Sequence, residues 1–214
     1  MNESTEKGIL RPASAKDVSA IVDIHLRSFE GFFLTFLGSA FLREFYVATL
    51  DDTSGISFVV EDRNGICGFV AGTCQPAGFY TRLLRKRWWR FGLASIKPVL
   101  RNPRIVPRLL RALAMPGQAR AAAGEGTLMS IAVLPERQGQ GIGQALVRAF
   151  LSEAARRGLN KVNLTTDRVA NDAANVFYQR LGFVCRRHFV TPEGRQMNEY
   201  VIDLAPNCIH ASQG

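Results

Sequence analysis

Three glycines occupy alternate positions in one short stretch of this chain. They are Gly139, Gly141 and Gly143, within Ile131-Ala132-Val133-Leu134-Pro135-Glu136-Arg137-Gln138-Gly139-Gln140-Gly141-Ile142-Gly143-Gln144. An apolar run leads in and an amphipathic pattern leads out, so the stretch reads as a strand, a turn and a helix start. Glycine lets a backbone approach a ligand closely. A helix start adds unpaired N–H groups and the positive end of the peptide dipoles. The chemistry this offers is a grip on a diphosphate, with Arg137 as a nearby cation. An ordinary strand-to-helix turn would show the same glycines. The dinucleotide pattern needs G-x-G-x-x-G with an acid at a later strand end, and the P-loop needs Gly-Lys-Ser/Thr; neither fits here.

The elements around this turn must position it. Gly126–Val133 has strand character, and Gly141–Arg157 is expected as a helix with Ile142, Leu146, Ala149, Phe150 and Ala154 on one face and Gly158 as its stop. Lys161–Thr165 reads as a strand, Asn171–Leu181 as a helix ended by Gly182. Phe183–Val190 and Met197–Leu204 read as a final hairpin around Thr191-Pro192-Glu193-Gly194. Upstream, Gly8–Pro12 is a short strand, and Ser14 with Asp17 marks a helix start before Val18, Ile21, Val22, Ile24 and Leu26. A helix is expected after Gly38 within the Phe-rich run Phe32–Leu50. Gly55–Glu61 and Ile66–Thr73 form a hairpin across Asp62-Arg63-Asn64-Gly65. The tail Ala205–Gly214 is expected to fray.

The chain has 214 residues, 47% hydrophobic and 21% charged, which fits one globular domain over residues 1–214. No stretch is long and apolar enough to span a membrane, and the polar start Met1–Gly8 lacks the order of a signal peptide. Cys67, Cys74, Cys185 and Cys208 show no close pairing, and there are only three histidines. The expectation is reduced thiols in a cytoplasmic protein with no metal site. The net charge of +9 is uneven: Phe79–Arg120 holds eleven Lys or Arg and no acid. That segment is expected as a helical insertion of two or three short amphipathic helices, broken near Pro98, Pro103 and Pro107.

Gln138-Gly139-Gln140-Gly141-Ile142-Gly143 resembles the Q/R-x-x-G-x-G/A signature of the GCN5-related N-acetyltransferases. Downstream, Asn171-x-x-Ala174-x-x-Phe177-Tyr178-x-x-x-Gly182-Phe183 is similar to the same family's asparagine–tyrosine–Gly-Phe segment, in the same order and at the same separation. The likeness is good over Gly126–Leu204, looser over Gly8–Thr73 and absent from the basic segment. It implies an α/β (α+β) fold with a mixed central sheet flanked by helices, its fourth and fifth strands splayed, and the basic helical insertion 79–120 between the third and fourth strands.

The resemblance also implies roles. Acetyl-CoA would lie in the splay, its pantetheine pairing with the backbone of Ile131, Ala132 and Val133. Its diphosphate would sit on Arg137, Gln138, Gly139, Gln140, Gly141, Ile142, Gly143 and Gln144. Asn171 would bond the pantetheine arm. Tyr178 would protonate the leaving thiolate, a job suited to a phenol that stays protonated at neutral pH. A backbone N–H near Val133 would hold the oxyanion. Tyr178 would equally serve as a core aromatic beside Phe177. For the base, Glu125, Ser130, Glu30 and His25 stand as candidates, each with a plainer role as surface acid, strand residue or packed histidine. Phe29, Phe32, Phe33 and Phe36 would border the acceptor site or simply pack the core.

The acceptor expected is the primary amine of a small, anionic or nucleotide-linked molecule. A protein or peptide amine is the first alternative, and a non-catalytic CoA- or nucleic-acid-binding module the second. No nucleic-acid motif accompanies the basic charge, which counts against the latter. The basic segment, with Trp88 and Trp89, would alternatively touch an anionic membrane. Monomer and homodimer are both compatible with the sequence.

Overall fold

The computed structural model describes residues 8–29, 33–101 and 124–204. Seven strands form one sheet: β1 (Ile9–Pro12), β2 (Gly55–Asp62), β3 (Gly65–Thr73), β4 (Glu125–Val133), β5 (Lys161–Asp167), β6 (Val184–Val190) and β7 (Gln196–Asp203). Their order is β1-β2-β3-β4-β5-β7-β6. The described helices are α1 (Val18–Ser28), α2 (Phe33–Phe36), α3 (Gly38–Asp51), α4 (Phe79–Arg101), α5 (Ile142–Arg156) and α6 (Asp172–Arg180).

Two cores flank the sheet. On one face Ile21, Phe41, Phe45 and Tyr46 of α1 and α3 pack on Phe69 and Ala71 of β3. On the other, Leu146, Val147, Phe150 and Ala154 of α5 meet Val70, Leu128 and Val162. β3 is therefore covered on both sides, which explains its unbroken apolar run Phe69-Val70-Ala71 in place of an alternating pattern. The chain enters α1 through a single helical turn, Ala15–Asp17. Asp17 there accepts hydrogen bonds from the Ser14 N–H at 2.8 Å and hydroxyl at 2.9 Å, and pairs with Arg11.

The sheet's one parallel contact, β4 with β5, lasts only three residue pairs: Glu125–Lys161, Gly126–Val162 and Thr127–Asn163. Beyond Thr127 the two strands separate. The register of β3 against β4 slips between Ala71 and Gly72, so Ser130 pairs with Ala71 and Leu128 with Gly72, leaving Met129 as a bulge. A bulge bends the strand that carries it, and β4 turns away from β5 where this one lies. The expected splay of fourth and fifth strands is thus present, with a physical cause.

Element positions agree with the sequence reading to within one or two residues, apart from the basic insertion. There α4 runs unbroken through Pro98, and the break falls instead at Arg87, with φ −138° and ψ 27°. Arg87 reaches back to α3, its guanidinium bonding Glu44 at 3.3 Å and Asp51 at 2.5 Å. α4 is anchored on α3 by Phe79, Leu83 and Phe91, with the Phe41 and Phe91 rings 5.1 Å apart. The expected breaks at Pro103 and Pro107, and the tail, lie outside the described residues.

Candidate functional site

The glycine turn leaves β4 through one short turn of helix, Pro135–Arg137, and enters α5 at its N-cap, Gly141. Gly139 has φ +76° and Gly141 φ +79°, the left-handed region that side-chain-bearing residues rarely enter. Gly143 differs. It lies in the first turn of α5 with ordinary backbone, and a methyl group there would meet the Phe177 ring at 3.4 Å, a normal contact. Two of the three glycines are therefore set by conformation. The third is set by neither conformation nor space, since an alanine side chain would fit against Phe177.

The first bond of the α5 ladder runs from the Ala145 N–H to the Gly141 carbonyl at 3.0 Å. The N–H groups of Gly141, Ile142, Gly143 and Gln144 lie ahead of that ladder, at the positive end of the helix dipole. A cavity of about 670 Å³ opens beside them, lined in part by Gly139, Gly141, Gln144 and Arg148, with Leu10 and Val60 from the sheet edge. Arg148 is a cation that sequence reading missed. The available signal was spacing: it falls four residues after Gln144 and seven after Gly141, on the same helical face.

Arg137 lines the same cavity, but its guanidinium is ion-paired with Asp62, which is nearly buried. Its charge is thus already largely neutralised, so less of it is offered to a ligand than the sequence implied. Gln138 folds back, its side-chain amide donating to the Val133 carbonyl at 3.3 Å. The turn is consequently tied at both ends of its first half, while Gly139 and Gln140 stay open.

Along β4 the groups that face the gap follow from the pairing. The Leu134 N–H bonds the Cys67 carbonyl on β3 at 2.9 Å, and Ala132 pairs with Phe69. Backbone groups alternate sides along a strand, so the N–H and C=O of Ile131 and Val133 face away from β3, into the splay. Ala132 faces β3 and contributes its small, buried side chain to the α1–α3 core.

Across the gap, Tyr178 on α6 is buried against Phe177, Phe183 and Tyr200, with ring centres 5.2, 5.8 and 6.2 Å away. Burial pushes its phenol up to about 12, which keeps the proton in place at neutral pH. Asn171 caps α6, after Ala170 takes the left-handed φ of 55°. Its amide donates to the Thr166 hydroxyl at 2.7 Å and to the Asp167 carbonyl at 3.4 Å, so it is engaged within the chain and would offer a ligand its oxygen more readily than its N–H groups. Asn175, one turn on, was not foreseen. Its oxygen accepts from Asn198 at 2.8 Å and from the Tyr200 hydroxyl at 3.0 Å, and its amide donates to the carbonyls of Asn171 and Asp167 at 2.8 and 3.0 Å. This satisfied network fixes α6, and with it Tyr178, to the ends of β5 and β7.

The base candidates are dispersed. Glu125 sits at the closed end of the β4–β5 wedge, held by Asn163 at 2.7 Å and Arg186 at 2.9 Å. His25 is buried in the α1–α3 core, pushed down to about 4 by burial, with its Nδ1 2.7 Å from the Tyr46 hydroxyl and its Nε2 without a hydrogen-bond partner among the described residues. Tyr46 in turn lies beside the Ser130 hydroxyl on β4, next to the bulge. Tyr46 was hidden from sequence reading inside an apolar helix. The Phe29 ring lies tilted against His25, with ring centres 4.6 Å apart, while Phe36 is exposed. Glu30 and Phe32 lie outside the described residues. Among the described residues no cluster of metal-binding side chains occurs.

The chain is 38% identical over 76 residues to the ribosomal protein bS18-alanine N-acetyltransferase of Escherichia coli K12, a match covering 34% of this chain and 51% of that protein. It is 41% identical over 58 residues to the mycothiol acetyltransferase of Kocuria rhizophila, covering 27% of this chain and 19% of that one. The matched stretch thus spans about half the length of the first relative and less of the second. The N-acetyltransferase structure from Staphylococcus aureus Mu50 superposes over 93% of this chain and 99% of that one with a TM-score of 0.62, and at 17% identity this speaks to the fold alone. A profile of the acetyltransferase (GNAT) family matches residues 18–183, well over half the chain, and the protein belongs to that family.

Proposed function

We propose that this chain transfers an acetyl group from acetyl-CoA to a primary amine by direct attack. The observation that carries the reading is the wedge between β4 and β5, where the backbone of Ile131 and the Val133 N–H face the gap, with the Val133 carbonyl met by the Gln138 amide, beside the unladdered N–H groups at Gly141–Gln144. An extended pantetheine chain pairs with an open strand edge as another strand would, and a diphosphate fits a helix start rich in glycine. Arg148 supplies a further cation along the cavity.

In this reading the amine nitrogen attacks the thioester carbonyl. The Val133 N–H stabilises the oxyanion, the carbon–sulfur bond breaks, and Tyr178 gives its proton to the departing thiolate. Asn171 orients the arm from the start of α6. Glu125 is locked at the closed end of the wedge and His25 is buried, so neither is placed to take the amine proton, which in this reading passes to solvent water. The acceptor is a small amine carrying negative charge, which the net charge of +9 would attract. A second reading, acetylation of a protein or peptide amine, draws on the likeness to the bS18-alanine enzyme.

Thiol release from acetyl-CoA, measured against amino acids, amino sugars, their nucleotide-linked forms and short peptides, tests the reaction. Turnover with a free amine supports it, and preference for acidic amines over peptides selects the first acceptor class. A well-folded chain that binds acetyl-CoA yet turns over none of these amines would be a binding module, contrary to the proposal.

A further inference from the structure

α4 has two unlike faces. Phe91 and Ser95 turn inward and are buried. On the opposite side Trp89, Leu93, Ile96 and Leu100 recur at i, i+4, i+7 and i+11, a single stripe at helical spacing. These four and Trp88 are between 49 and 77% exposed. Soluble surfaces rarely gather five large apolar side chains on one helix without a use for them. Basic residues border the stripe. Arg90 stacks over the Trp89 ring at 5.0 Å, and Arg85 is exposed and makes no ion pair among the described residues. The acids that do answer this helix, Glu44, Asp51 and Asp52, approach it from α3 and pair with Arg82, Lys86, Arg87 and Arg90. They hold the helix to the body of the protein and leave Arg85 without an acid among the described residues, while the sequence adds Lys97 and Arg101 beside the stripe and no acid from Phe79 to Arg120.

We propose that this outer face of α4 docks on an anionic lipid bilayer, with the tryptophans and aliphatic stripe in the interface and the cations on the headgroups. Charge decides the occupant. A second copy of the chain in a two-fold dimer would set this basic face against itself. Nucleic acid would use the cations but gain little from Leu93, Ile96 and Leu100, because its interfaces are polar. An anionic membrane uses both parts of the pattern.

Trp88 and Trp89 are the only tryptophans in the chain, so tryptophan emission reports on α4 alone. The full chain is titrated with phosphatidylcholine vesicles containing roughly one-third phosphatidylglycerol, with bromine on the acyl chains in a parallel series. Emission should shift to the blue and be quenched by bromine, with partitioning at least about tenfold stronger than onto phosphatidylcholine alone. Arg85→Gln should weaken partitioning by roughly fivefold, and high salt should weaken it further. Leu93→Ser with Ile96→Ser and Leu100→Ser, all at exposed positions, should abolish quenching. Absence of quenching, equal partitioning onto neutral and anionic vesicles, or variants that bind like the parent would each overturn the proposal. A blue shift that follows protein concentration without lipid would give the face to a second copy. One produced by random-sequence DNA and not by vesicles would give it to nucleic acid.

Discussion

Tyr178 carries the sharpest statement at the scale of single residues. Its ring belongs to the core between sheet and α6, and that same burial raises its phenol to about 12. An acid must hold its proton until it is needed, so turnover should show no alkaline loss from this group below about pH 11. Tyr178→Phe keeps the ring and should lower kcat roughly a hundredfold with little change in acetyl-CoA affinity. Steady-state kinetics beside a binding titration separates the two, and an unchanged kcat would remove Tyr178 from the chemistry. His25 yields a prediction about stability. Burial depresses it from 6.5 to about 4, so the unfolded chain takes up a proton at a higher pH than the folded one does. Stability should therefore fall as pH drops through this window, by about 2 kcal/mol between pH 7 and pH 5. Denaturant midpoints for His25→Gln should lose most of that dependence; an equally acid-sensitive variant would place the titration elsewhere. Both residues were visible in the sequence, but their roles divided differently there. The Asn171-to-Gly182 spacing singled out Tyr178, whereas nothing in the apolar run around Tyr46 signalled that this phenol meets His25.

At the level of elements, the turn and the wedge make separate demands on glycine. At Gly141 the constraint is the backbone, since a methyl group would meet no atom within 4 Å but would have to adopt φ +79°. Gly141→Ala should be about 1 kcal/mol less stable, whereas Gly143→Ala, with room against Phe177, should change stability by less than about 0.5 kcal/mol. Thermal or denaturant unfolding of the pair checks the contrast, and equal losses would contradict the assignment of the N-cap. At Gly72 the constraint is space. A Cβ there would lie 2.2 Å from the Thr127 carbonyl and 2.7 Å from Phe150, beside the bulge. Gly72→Ala should cost about 3 kcal/mol and loosen β4 against β3; near-native stability would mean that the strands part easily. The sequence announced the strand–turn–helix unit because glycine, periodicity and a cap coincide in it. It did not announce the bulge at Met129, since a register slip depends on the facing strand. It also misplaced the break in α4: proline in a sequence is a local signal, but Arg87 bends where ion pairs to α3 hold it.

Across the whole molecule, the order β1-β2-β3-β4-β5-β7-β6 creates one parallel junction in an otherwise antiparallel sheet, and the opening lies there. The alternation of elements pointed to a mixed sheet, and the family likeness pointed to the splay. The cavity beside Arg148 was illegible because it joins residues from β1, β2 and α5 that only the fold brings together. The asymmetry of charge was legible at once, but which cations remain free was not, because that depends on the acids of α3. Calorimetric titration of acetyl-CoA into the parent chain and into Gly141→Asp asks whether the amides of this turn hold the diphosphate. The parent should bind one acetyl-CoA per chain. The variant, whose carboxylate would compete for the same N–H groups, should stay folded and bind at least roughly a hundredfold more weakly. No heat with the parent, or equal affinity in the two proteins, would contradict a diphosphate held by the amides of this turn.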